Sequence, residues 1–145
     1  MHSLCNLAKN YAPLIGRVLF AFLFLQSGWH KIFGFEQNVR VMTGKGIPLP
    51  EVLLALTIIL VIAGGLMILV GWYARWAALA LFLWMIPATL LYHAFWTYEP
   101  AQLFNQTNHF LKNFAIMGAL LMIVGMGTGP LSLRDEKCGT GAAQA

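Results

Sequence analysis

Acidic side chains are scarce in this chain: there are five among 145 residues, and none between Glu51 and Glu99. Glu36, Glu51, Glu99, Asp135 and Glu136 fall in connecting segments, at a helix start or in the tail. Paired-carboxylate acid/base chemistry therefore has no favourable seat. Charge of either sign is thin, at 10% of residues, where soluble chains carry about 25%. Nine Lys and Arg give a formal net charge of +4 but form no dense tract. Nucleic-acid binding is not expected, and anionic lipid headgroups are the better counter-charge. The two cysteines, Cys5 and Cys138, lie near opposite ends and read as free thiols on a reducing face. HExxH and CxxC motifs and a Ser–His–Asp set are missing, and Gly44-Lys45-Gly46 lacks the phosphate-loop spacing.

What the chain has instead is apolar length, with 59% hydrophobic residues. Residues 52–72 contain no ionisable side chain. At about 1.5 Å per residue such a stretch spans roughly 32 Å of helix, enough for a bilayer core of about 30 Å. A second run, 76–96, follows a link of Tyr73, Ala74 and Arg75, so short that it requires a tight antiparallel hairpin. Two weaker spans flank this pair. The first is 14–29, extending toward Phe33, with Arg17 snorkelling to the near headgroups. The last runs from 110 to Gly127 or Gly129, where Gly127-Thr128-Gly129-Pro130 stops it. Pro48, Pro50 and Glu51 mark the start of the second span, and Pro87 is expected to bend the third.

The expected fold is all-α: an integral membrane four-helix bundle forming one domain over 1–133, followed by a flexible polar tail over 134–145. Segment 33–49 is read as a short interfacial or re-entrant helix, with an irregular loop as the alternative. Lys9 and Arg17 before the first apolar run resemble a signal peptide, but 25–29 offers a poor cleavage site, so a retained helix is expected. Cationic residues divide five to four between the two faces, a slight lean toward both termini in the cytoplasm. Gly64, Gly65 and Gly71 in the second span, and Gly118 and Gly125 in the fourth, are expected to let helices approach closely.

Four crossings bring the end of span one, the end of span three and the start of span four to one membrane face. Gln26, His30 and Lys31 lie at the first place, and Thr89, Tyr92, His93 and Trp96 at the second. Asn105, Asn108, His109, Lys112 and Asn113 lie at the third. Three of the four histidines thus converge in depth. Such a cluster suits interfacial anchoring and interhelical hydrogen bonding, a quinone headgroup, or a proton relay. A haem or metal centre is not expected, because the histidines are far apart in sequence and no fourth strong ligand accompanies them.

The chain resembles the DoxX family of small bacterial inner-membrane proteins. The resemblance runs from about Arg17 to Leu133. It rests on Gln26-Ser27-Gly28-Trp29-His30-Lys31 within the segment ending at Gly34, on Ile47-Pro48-Leu49-Pro50, and on Gly64-Gly65 through Gly71 before Arg75. Asn113 in an apolar fourth segment completes it. The family pattern carries an acid three residues before the paired glycines, where this chain has Val61. The resemblance implies four transmembrane helices in the bacterial cell inner membrane. Some relatives do membrane redox work, including a quinone-linked thiosulfate-oxidising enzyme and oxidative-stress-linked complexes. The expected function is thus an accessory or quinone-associated component of a membrane redox system, with Gln26, His30, His93, His109, Lys112 and Asn113 lining a polar pocket. The bilayer and membrane redox proteins are its expected partners. Whether it is an enzyme stays open. A non-catalytic scaffold and a small-molecule carrier are the alternatives, the carrier requiring a homodimer.

Overall fold

The computed structural model describes residues 2–133, with side chains from residue 6 onward. The Cys5 side chain, Cys138 and the tail from Arg134 lie outside the described residues. In chain order the helices are α1 (His2–Phe33), α2 (Phe35–Gly44), α3 (Pro50–Val70), α4 (Ala74–Tyr92) and α5 (Pro100–Met126). A single 3-10 turn, Phe95–Thr97, joins α4 to α5. Four segments are long and apolar enough to cross a membrane: Asn6–Phe33, Pro50–Val70, Ala74–Thr97 and Pro100–Met126. The molecule is an all-α membrane protein with four apolar spans. Large apolar side chains such as Leu19, Phe22, Ile59, Leu83 and Met122 face outward, which lipid tolerates and water would not.

The structure has a fifth helix beside the four spans. α2 fills the segment between the first two spans, and its ten residues reach only about 15 Å, too short to cross. It buries Met42 and leaves Glu36 and Arg40 exposed.

A short helix between the first two spans is the sequence expectation, but helix boundaries elsewhere differ from it, and α1 already begins at His2, well before residue 14. α3 stops at Val70 because Gly71 takes a left-handed conformation, φ 69°, where a glycine has no Cβ to clash. α5 begins at Pro100, ten residues before the apolar run, with Glu99 before it. Proline at the first helical position loses no intrahelical bond, so Glu99-Pro100 was a start signal hidden by the polar stretch after it.

The spans pack in sequence order. α3 lies against α1 and α4, and α4 against α5, while α1 and α5 make no close backbone approach. The core joins Phe24, Val61, Ile68, Leu81 and Leu120. Gly64 and Gly65 serve close packing as expected. A Cβ on Gly64 would sit 2.9 Å from Leu81 Cδ1, and one on Gly65 would sit 3.2 Å from Phe24 Cβ. Gly118 and Gly125 face open space, so within this chain they bring no helix closer.

At one end, the segment after α5 folds back over α1 and α3. Leu133 N–H donates to Val70 O at 3.0 Å. A Cβ on Gly129 would meet Pro13 at 2.7 Å. Arg17 Nη2 donates to Leu131 O at 2.9 Å and to Pro130 O at 3.3 Å. Arg75 Nη1 donates to Val124 O and Gly125 O at 2.9 and 3.0 Å, carbonyls that the end of α5 leaves without intrahelical partners. The snorkelling expected for Arg17 is therefore replaced by burial, since the residue is only 3% exposed. Among the described residues, the carbonyls of the segment after α5 meet its charge.

Candidate functional site

At the opposite end, where α1 and α5 stand apart, the helices enclose a cavity of about 870 Å³. Its deep wall is apolar, formed by Phe24, Leu54, Met85 and Ile116. Its outer part carries Gln26, Ser27, His30 and Lys31 from α1, Asn38 from α2, Thr89 from α4, His93 just after α4, and Lys112 and Asn113 from α5. From His30 down to Phe24 the helix descends about 9 Å, and from His93 down to Trp84 about 13 Å. The shape is a polar rim above a greasy pit.

Helical spacing explains why these groups meet. Gln26 and His30 are four apart on α1, as are Thr89 and His93 at the end of α4, so each pair shares a face. α4 also brings Pro87 and Ala88 to the wall. Proline leaves a carbonyl of the preceding turn without its intrahelical donor. Beneath the rim, Trp84 Nε1 donates to Thr57 Oγ1 at 3.2 Å, tying α4 to α3. Asn113 Nδ2 donates to Thr89 Oγ1 at 3.1 Å, tying α5 to α4. Thr89 is 2% exposed, so its hydroxyl has little access to water as an alternative partner.

The histidines have defined roles. His93 Nδ1 donates to Gln106 Oε1 at 2.9 Å, because an amide oxygen can only accept, and this leaves Nε2 as the acceptor nitrogen. The His93 and His109 rings stack at 5.1 Å with 22° between planes. Lys112 Nζ donates to His109 Nδ1 at 3.2 Å, which places the hydrogen of a neutral His109 on Nε2. On α1, Lys31 Nζ donates to Ser27 Oγ at 2.7 Å. The rim therefore offers ammonium, imidazole and amide groups, and among the described residues no carboxylate lines it. Among the described residues no three His, Cys, Asp or Glu gather as a metal would need.

A family model, DoxX, matches residues 12–94. Inner membrane protein YqjF of Escherichia coli (strain K12) is 32% identical over 125 residues, which cover 86% of this chain and 91% of that protein. The chain belongs to the DoxX family. Inner membrane protein YphA of the same organism is 25% identical over 126 residues, covering 87% of this DoxX chain and 90% of that protein. The Surfeit locus protein 4 homolog of Drosophila melanogaster is 27% identical over 135 residues, or 91% of this chain but 43% of that protein. No solved structure matches the chain.

The DoxX match takes in Gln26, His30, Lys31 and His93 and ends before α5. His109, Lys112 and Asn113 lie beyond it. Of the six residues expected at the pocket, Gln26, His30, His93, Lys112 and Asn113 line the cavity. His109 does not, and it touches the site through its stack on His93. Sequence reasoning missed Gln106, whose polar side chain one turn before His109 lay in a stretch read as a connection. It also missed Asn38, which lay in the segment read as an interfacial helix or loop, and the Trp84–Thr57 pair, which was hidden in apolar spans.

Proposed function

We propose that this DoxX chain resides in the bacterial inner membrane and serves as a quinone-associated component of a membrane redox system. The observation that carries this reading is the cavity itself, with hydrogen-bonding groups from α1, α4 and α5 gathered over an apolar pit inside a membrane-spanning bundle. The donor set suits a ring bearing carbonyl oxygens. Lys31, Lys112, Gln26 and Asn113 are donors, while His93 can accept from a ring hydroxyl through Nε2. The apolar wall suits the ring face and the start of a hydrocarbon tail. A bound quinone would supply two-electron, two-proton chemistry. The chain's own part is to desolvate the ring, orient its oxygens and hold a proton at His93 Nε2.

The reading is tested by binding a short-chain quinone to the purified protein in lipid nanodiscs, with the wild type set against His93→Ala. Saturable binding that weakens at least about fivefold in the variant is expected. If binding does not saturate, or is indifferent to His93, the cavity is not a quinone site.

A further inference from the structure

The cavity has a charge pattern that a neutral ring does not explain. Two lysines line it, one on each of the two helices whose backbones make no close approach: Lys31 on α1 and Lys112 on α5. Their hydrogen-bond partners are the neutral Ser27 hydroxyl and His109 imidazole. None of the described lining residues is acidic. Of the described acids, Glu36 and Glu51 stand with Arg40 around a separate, smaller hollow outside the main cavity. Glu99 is exposed before α5. Two ammonium groups, Lys31 partly buried and Lys112 exposed, thus stand at the mouth of an apolar space with no counter-ion among the described lining residues. Beside an apolar wall such charges are screened less than in open water. A negative charge delivered by the ligand would supply the counter-ion.

We propose that Lys31 and Lys112 form a two-sided clamp that makes the cavity selective for an anionic, ring-borne oxygen, such as the ionised hydroxyl of a hydroxyquinone, over the uncharged ring. The proposal rests on the quinone reading and narrows it. The clamp also gives the gap between α1 and α5 a use. Because Arg17 on α1 ties the far end to the segment that follows α5 through Pro130 and Leu131, an anion held between Lys31 and Lys112 would bridge α1 and α5 at the open end. The ligand head would then link two helices whose backbones make no close approach.

The test compares 2-hydroxy-1,4-naphthoquinone, ionised at neutral pH, with its uncharged near-isostere 2-methoxy-1,4-naphthoquinone. Both are titrated into the full chain in nanodiscs of zwitterionic phosphatidylcholine, with empty nanodiscs subtracted. The hydroxy compound is expected to bind at least about tenfold more tightly. Lys31→Gln with Lys112→Gln should abolish the difference between the two ligands, and Lys31→Arg with Lys112→Arg should keep it. Circular dichroism shows that each variant is folded. Equal affinity for the two compounds in the wild type overturns the clamp and leaves the quinone reading standing. A preference that survives the double Gln substitution also overturns the clamp. Binding of neither compound overturns both readings. If dodecanoate competes as well as the hydroxy compound, the site recognises a simple amphiphilic carboxylate and the ring-borne anion is wrong.

Discussion

Asn113 on α5 donates its side-chain N–H to the hydroxyl of Thr89 on α4, 3.1 Å away, within the polar lining of the cavity. Thr89 is almost fully buried and Asn113 partly so. The pair therefore fixes the spacing of the two helices that carry His93 and Lys112. Removing Thr89's hydroxyl with Thr89→Val leaves the Asn113 amide short of a partner. A double-mutant cycle of Thr89→Val and Asn113→Leu, read by unfolding in detergent, is expected to give a coupling of about 0.6–1.7 kcal/mol. Strict additivity would remove this bond from the account.

Arg17 anchors the opposite end through Pro130 O and Leu131 O. Both bonds come from Nη2 at the tip of the guanidinium, and a lysine ammonium on its flexible stem does not place its donors in the same fixed geometry. Arg17→Gln should destabilise the protein by about 1.5–3 kcal/mol, the scale of hydrogen bonds to a charged group, and Arg17→Lys should recover only part of that. Chemical unfolding in mixed micelles checks the order. A silent Arg17→Gln would mean that the residue does lie at the headgroups after all.

Gly71 sits under the same junction with φ 69°, and a Cβ there would collide with Ser132 and lie 2.5 Å from Arg17 Nη1. Gly118 lies in helix with open space beside it. The two Gly→Ala substitutions should therefore move stability in opposite directions. Gly71→Ala should cost upward of about 1 kcal/mol from the left-handed backbone alone, with the collision added. Gly118→Ala should be neutral or stabilising by up to about 1 kcal/mol through helix propensity. The comparison is made by thermal unfolding of the two variants. A destabilising Gly118→Ala would point to a packed surface at this glycine.

Gln106 orients His93 by accepting its Nδ1–H at 2.9 Å. With Gln106→Leu, His93 loses the bond that fixes its tautomer, and quinone affinity should fall about three- to tenfold while the unfolding temperature stays close to the wild type. Titration of the nanodisc-embedded variant checks this. An unchanged affinity would show that the His93 tautomer is immaterial to binding.

Much of the frame was legible because membrane spans announce themselves locally. Residues 52–72 carry no ionisable group, and any long helix of that composition must find an apolar surrounding. The convergence of His30, His93 and Lys112 was legible too, since alternating crossings dictate which ends share a face. Other features depended on contacts that sequence does not encode locally. Arg17 looked like an interfacial cation, and its carbonyl partners are more than a hundred positions away. The first ten residues of α5 looked like a loop because their side chains are polar, yet the helix is started by Pro100 and continues into the apolar run. Gly118 and Gly125 had the spacing of a packing seam, but spacing alone does not say which face a helix turns to its neighbour.

The most direct measurement of the central claim is photolabelling with an azido-quinone in nanodiscs, followed by peptide mapping. A ligand seated in the cavity should label residues of α1, α4 and α5 that line it, including the neighbourhoods of His30, His93 and Asn113. Excess unlabelled quinone should protect all three together. Labels scattered over outward-facing residues such as Phe22, Leu83 and Met122, and unprotected by competitor, would contradict the account.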